Sequence, residues 1–304
     1  MKLTPAQVQE FRDNRILIAP NMLTEHDFAP VTAEIEAFIS RRALELKAAG
    51  KINDLHEDAP FDKRIALIFA QCDEIMGGMD IMNMRGKAMF AFLRNKNLLD
   101  AVECLIGSEI NCSPIQHLRA KVPSNIGKGN FEVVPWHQDS AVTWEEADSA
   151  DIVTCWIPLV DATVQTGCMQ VIPGQLDYIE HIPDGGTQIN PKLMPATAPI
   201  AAECPRGGVV FMTKLTPHRG LPNLSDKVRW TIDLRYQRTG TPTGRPFFPD
   251  FPVRSAANPA SVLTDHAEWD RRWLAGFEEG KNKRWHRTAK PEMAMSMSMG
   301  GAMK

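Results

Sequence analysis

The sequence predicts a β-rich sandwich or barrel buttressed by amino-terminal helices, and three observations lead there. From about residue 109 the chain falls into short β-branched and aromatic runs broken by Pro and Gly, at Ile115–Pro123, Val133–Trp136, Ile152–Val160, Cys168–Pro173, Gly208–Thr213 and Val228–Gln237. No helical pattern separates these runs, which argues against a parallel α/β sheet. Residues 1–107 instead carry apolar residues at helical spacing.

Taken in order, Thr4-Pro5-Ala6-Gln7 supplies a capping box with Pro at the first helical position, where its missing N–H is no loss. Ile16–Ile18 is a candidate strand. Thr24 opens a second helix whose Phe28, Val31, Ile35, Phe38 and Ile39 share one face. A Met-rich stretch follows (Met76, Met79, Met82, Met84, Met89), expected to fill irregular core gaps more than to line a pocket. The pattern Leu98, Leu99, Val102, Leu105, Ile106 stops at Gly107, the residue expected just past a helix end. Beyond Arg238 comes a Pro/Gly-rich segment and a helix near His266–Phe277. The expected organisation is one domain over residues 1–290, divided into a helical buttress (1–107), a β core (109–238) and an extension (239–290). The Met-rich tail 291–304 is expected to be disordered.

The composition narrows the function. Hydrophobic residues make up 43% of the 304 and charged residues 23%, enough to bury a core without disulfides or a structural metal. A net charge of -3 gives no field that favours nucleic acid or an anionic membrane. The longest apolar stretches, 16–20 and 66–70, fall far short of the ~20 residues that span a bilayer. The start of the chain lacks the features of a secretory signal, so the expectation is a cytoplasmic protein with a small-molecule partner. The six cysteines lie far apart with no Cys-x-x-Cys pair and are expected to be small buried hydrophobes.

No Walker loop, Gly-x-Ser-x-Gly elbow or His-Glu-x-x-His motif is present. Eight His among 37 acids in 304 residues yield about one His-x-acid pair by chance, and the chain has three. They are His56-Glu57-Asp58, His137-Gln138-Asp139 and His266-Ala267-Glu268. In a strand, residues i and i+2 share a face, so a pair at a strand end projects imidazole and carboxylate into one pocket. Only His137 and Asp139 follow a candidate strand; the other two pairs are expected on the solvated surface.

Two His and one carboxylate on one face of an octahedron leave three positions open, the arrangement of non-heme Fe(II) oxygenases. Candidates for the second His are His117, His181 and His218. His218 follows a strand and is flanked by Pro217 and Gly220, which indicates an ordered turn. Eleven residues on, Arg229 begins another strand, where a buried guanidinium requires an anionic partner, Asp233 or the carboxylate of a cosubstrate.

Trp136-His137-Gln138-Asp139, the run Gly167–Gly174, and His218 followed by Arg229 resemble the phytanoyl-CoA dioxygenase-like Fe(II)/2-oxoglutarate oxygenases. The opening Leu3–Gln7, Phe11, Ile16–Ile18 and Pro20 is similar too, so that the likeness covers about residues 3–238. The resemblance implies a double-stranded β-helix of jelly-roll or cupin-like type, buttressed by the amino-terminal helices. It implies iron held by His137, Asp139 and His218, with Arg229 pairing the distal carboxylate of 2-oxoglutarate. It further implies that Gln116 hydrogen-bonds the cosubstrate, that Trp156 walls its pocket, and that O2 is consumed with release of succinate and CO2. Relatives often have Ser or Thr two residues after the second His, where this chain has Gly220, so one cosubstrate hydrogen bond is expected to be missing or supplied elsewhere. Halogenases of this kind replace the metal carboxylate by a small residue. Asp139 therefore points to hydroxylation, desaturation or ring closure.

The alternatives are a cupin-like isomerase or hydrolase without 2-oxoglutarate and a noncatalytic β-sandwich. Arg119 and Lys121 either face an anionic substrate or are solvated charges, the latter being the expectation, and His117 and His181 are expected as structural. Trp144-Glu145-Glu146 is either a substrate lid or an exposed acidic turn.

Overall fold

Thr4 caps α1 (Pro5–Asn14) as its sequence requires, its hydroxyl accepting from Gln7 N while the Gln7 side chain accepts from Thr4 N. The structure is a computed structural model that describes residues 1–127, 133–182 and 187–287. The disorder expected of 291–304 lies outside the described residues.

After β1 (Ile16–Ala19), α2 (Glu25–Ala48) buries Phe28, Val31, Ile35 and Ile39, the face its spacing predicts. Three helices follow that carry no strong sequence signal: α3 (Phe61–Gln71), α4 (Ile81–Met84) and α5 (Lys87–Phe92). The methionines of this region pack into or against the main core, as expected of gap-filling thioethers. In α6 (Lys96–Ile106) the apolar stripe is buried, and Gly107 ends the helix at φ 90°.

The remaining strands are β2 (Ile110–Cys112), β3 (His117–Lys121), β4 (Val153–Pro158), β5 (Met169–Val171), β6 (Ile200–Ala202), β7 (Val209–Thr213), β8 (His218–Gly220), β9 (Arg229–Arg238) and β10 (Phe251–Arg254), followed by α7 (His266–Gly280). They form two antiparallel sheets, one in the order β1-β7-β4-β9-β2-β10 with β3 also on β9, the other β6-β5-β8. This is the jelly-roll core. Its large sheet reaches beyond residues 109–238 at both ends, because β1 pairs with β7 and β10 with β2.

One expected strand does not form as such. Residues 133–136 are irregular, because Pro135 has no N–H to give a ladder. They reach the small sheet through Gly220 N donating to Val134 O (3.1 Å) and a single bridge between His137 and His218.

The large sheet has two unlike faces. Trp230, Ile232, Leu234 and Tyr236 of β9, with Val153, Cys155 and Ile157 of β4, pack into the helix-side core. On the other face, Ile16, Trp156, Val210 and Met212 meet Met169 and Val171 of the small sheet. Strand β9 instead presents Arg229, Thr231, Asp233 and Arg235 there, at every second position.

Candidate active site

His137, Asp139 and His218 converge, and their ligand atoms all lie within 4.8 Å of one another. The reciprocal backbone bonds of the bridge, both 2.9 Å, bring the two histidines side by side with ring centroids 4.1 Å apart. Each ring donates its Nδ1–H to a backbone carbonyl two residues earlier, Pro135 O and Thr216 O, both at 2.9 Å. A carbonyl can only accept, so Nδ1 carries a proton, and in the neutral tautomer of each ring the lone pair is on Nε2. Burial, with His218 beside it, pushes the His137 pKa down to about 3, which keeps the imidazole neutral and able to ligate.

Asp139 opens a short 3₁₀ turn (Asp139–Val142). Burial alone would raise its pKa, but Arg235 and the two imidazoles outweigh it and hold the carboxyl well below the usual range. Arg235 forks onto it, Nε to Oδ2 at 2.9 Å and Nη2 to Oδ1 at 2.8 Å. Thr154 donates to Oδ2 at 2.6 Å. Oδ2 is thus saturated, whereas Oδ1, which lies 3.9 Å from His218 Nε2, retains a lone pair for a metal. Two imidazoles and a fixed carboxylate whose ligand atoms lie this close together suit a divalent iron.

Arg229 lies at the other end of the polar face. It is buried with its guanidinium 5.2 Å from the Trp156 ring. Its Nη1 donates to Thr231 Oγ1 at 3.1 Å and its Nε has no partner. Asp233 is not its ion-pair partner: among the described residues Arg229 has no carboxylate within ion-pair distance, and Asp233 meets Arg119 through Oδ2 at 3.3 Å while its Oδ1 has no partner. Burial, partly opposed by Asp233, brings the Arg229 pKa down to about 10. A buried guanidinium with unused donors matches an incoming carboxylate.

Gln116 does not fit the donor role expected of it. Its Nε2 donates to Cys112 Sγ (2.9 Å) and Ser113 O (2.7 Å), which leaves only the acceptor Oε1 free. An acceptor cannot pair with a carboxylate. Lys121 also departs from expectation. It is buried and not solvated, and its Nζ donates to Leu221 O. Arg119 is half exposed, as a solvated charge should be.

His181 is structural, its Nε2 accepting from Gln138 N at 3.1 Å. His117 bonds Asp80 at 2.8 Å and is the cross-strand partner of Asp233, which sets both on the polar face. Trp144-Glu145-Glu146 lies against the carboxy-terminal segment. Trp144 Nε1 donates to Arg284 O (2.8 Å) and Arg284 pairs with Glu145 (3.1 Å). The six cysteines are all free.

The family model of phytanoyl-CoA dioxygenase (PhyH) matches residues 11–231. The chain belongs to the phytanoyl-CoA dioxygenase family. It is accordingly an Fe(II)/2-oxoglutarate-dependent enzyme of the dioxygenase type, with O2 as the second cosubstrate. Solved structures share the fold. The epimerase SnoN in complex with Fe3+, alpha ketoglutarate and nogalamycin RO superposes with TM-score 0.54 at 18% identity, covering 86% of this chain and 93% of SnoN. The non-heme monooxygenase ThoJ gives 0.55 at 18%, over 97% of this chain and 100% of ThoJ. The alpha ketoglutarate dependent carbocyclase SnoK from nogalamycin biosynthesis gives 0.53 at 18%, over 86% and 94%. No curated protein sequence matches the chain.

Two members of this PhyH site escaped the sequence reading. Arg235 stands six residues after Arg229, an even spacing that puts both on one face of a strand, and this was the available signal. Thr154 carries none, because a Thr in a strand is ordinary.

Proposed function

We propose that this member of the family hydroxylates, desaturates or cyclises an unactivated C–H of a small molecule, with succinate and CO2 as co-products. His137, Asp139 and His218 hold the iron, and Arg229 pairs the distal carboxylate of 2-oxoglutarate against the wall formed by Trp156. Iron with 2-oxoglutarate and O2 supplies the oxidising power. The chain's own residues supply placement. Pro135 O and Thr216 O fix the tautomers of the two imidazoles. Arg235 and Thr154 fix the rotamer of Asp139, so that the ligands need no reorganisation when metal arrives. The apolar half of the interior, Trp156, Val210 and Met212 facing Met169 and Val171, keeps bulk water from that side of the site.

The observation that carries this reading is the pairing of a three-ligand cluster with a buried guanidinium that has no carboxylate partner, both on the inner face of one jelly roll. SnoN, solved with nogalamycin RO, and the carbocyclase SnoK share this fold, which supports a small-molecule substrate and includes ring closure among the candidate outcomes. An anaerobic Fe(II) and 2-oxoglutarate titration, followed by succinate release on adding O2 with a metabolite panel, tests it. Arg229→Ala should abolish 2-oxoglutarate binding. Full activity of that variant would instead establish a metalloenzyme that does not use 2-oxoglutarate.

A further inference from the structure

Lys121 and Arg229 are direct Cα partners across β3 and β9. Side chains of such a pair leave the same face, with Cβ atoms roughly 4.5–5.5 Å apart. Both residues are 5% exposed. Like charges on facing positions repel, and burial removes the water that would screen them. Among the described residues no carboxylate lies within ion-pair distance of either one; Asp233, whose charge acts on Arg229 from farther off, meets Arg119 through Oδ2 and leaves Oδ1 without a partner. The fold therefore holds two buried cations side by side with most of their donors unspent. Among the described residues, Lys121 Nζ, which has three protons to donate, meets Leu221 O alone, and Arg229 meets Thr231 Oγ1 alone.

Gly220 explains how the ammonium fits. Its φ is not among the positive values of the chain, so its backbone does not require glycine. A Cβ built there would lie 3.2 Å from Lys121 Nζ and 3.6 Å from Val134 Cβ. The missing side chain is the space into which Lys121 reaches.

We propose that Lys121 is the second cation for the distal carboxylate of 2-oxoglutarate, sharing it with Arg229 and making the site selective for a 2-oxo dicarboxylate. This rests on the function proposed above. A single carboxylate has about four lone-pair directions, enough for the Arg229 fork and an ammonium at once. Trp156, packed under the guanidinium, keeps Arg229 from swinging toward other acceptors. The groups facing Lys121 are Arg229 on β9, Cys168 just ahead of β5 and the Gly220–Leu221 backbone of β8. Burial first, then Arg229, lowers the Lys121 pKa to about 7, whereas burial raises the Cys168 thiol to about 11. An arriving carboxylate would restore the ammonium.

The test is anaerobic calorimetry on the full-length, Fe(II)-loaded protein with 2-oxoglutarate and with 2-oxopentanoate, which lacks the distal carboxylate. Lys121→Met should weaken 2-oxoglutarate by ~10–100-fold, leave 2-oxopentanoate within about 2-fold, and leave the Fe(II) stoichiometry unchanged. In the wild type at pH 8, repeated in buffers of different ionisation enthalpy, 2-oxoglutarate binding should take up protons and 2-oxopentanoate binding should not. This second arm needs no folded variant. Equal 2-oxoglutarate affinity in Lys121→Met, equal weakening of both ligands, or proton uptake that is the same for both would each overturn the proposal while the function stands. A wild type that binds no 2-oxoglutarate would overturn the function and this proposal with it.

Discussion

Asp139 shows how one side chain is assigned its work by its neighbours. Its two oxygens are not equivalent, because Arg235 and Thr154 saturate Oδ2 and leave Oδ1 turned toward His218. Replacing Arg235 by Lys keeps a charge and loses the planar fork. Partners that orient a metal ligand are typically worth 10–100-fold in metal affinity, so Arg235→Lys should weaken Fe(II) binding by about that factor, read by equilibrium dialysis. A variant that binds Fe(II) as tightly as the wild type would show that the clamp is dispensable. At this scale the cluster was legible, since His-x-Asp ahead of a distant His and Arg is a spacing that few other chemistries need. The clamp and the burial of Lys121 were not, because a charge in a strand is solvated unless the partner strand says otherwise, and register is invisible in a sequence. Gln116 was misjudged for a related reason. Its position suits the role, but its donors are consumed by Ser113 and Cys112.

Strand β9 is the element on which the enzyme is built. Its even-numbered residues Trp230, Ile232, Leu234 and Tyr236 anchor the helices, and its odd-numbered residues from Arg229 to Arg235 form the polar wall. Trp230 is fully buried, stacked on Phe61 of α3 with centroids 5.0 Å apart, and donates its Nε1–H to Phe61 O at 3.2 Å. Trp230→Ala should cost about 3–5 kcal/mol in chemical denaturation, and a loss under about 1 kcal/mol would mean that α3 does not depend on this contact. A one-residue register slip would exchange the two faces, burying arginines among the helices. Long periodic elements such as α2, α6 and β9 could be read from the sequence. The three-residue strands β2, β6 and β8 could not, because three residues hold too few alternations to mark a period; β5, equally short, was legible only because apolar residues flank it over 168–173.

Across the whole molecule, the two ends of the described chain are tied to the core. Asp100 on α6 receives Lys96 at 2.7 Å, Arg254 of β10 at 3.0 Å and the amino terminus at 3.5 Å. Burial would raise its carboxyl pKa, but these cations win and bring it down to about 2. A carboxyl depressed in the folded state stabilises fully above its unfolded value, about 3.9, and loses that contribution as pH falls through the folded one. The thermal midpoint of Asp100→Asn should therefore lie below that of the wild type at pH 7, with the gap narrowing between pH 4 and pH 2. A gap that stays constant over that range would place the effect elsewhere. The other end docks through Arg287, which donates to Thr143 O at 3.2 Å and pairs with Asp148, beside the turn that begins at Asp139. Among the described residues no helix is long and apolar enough to cross a membrane.

Gln138 occupies the middle of the His-x-Asp pair, a letter that the motif leaves free. Here its amide nitrogen donates to Asp177 O at 2.9 Å and Leu215 O at 2.6 Å, and its oxygen accepts from Ile179 N at 2.7 Å. Two loops distant in the chain are thus riveted to the residue between two candidate metal ligands. Asp177 and Leu215 also line a surface cleft of about 470 Å³ between α1 and the ends of β4 and β7. Swapping Gln138 for Leu would spare His137 and Asp139 themselves yet remove the three side-chain hydrogen bonds that fasten both loops.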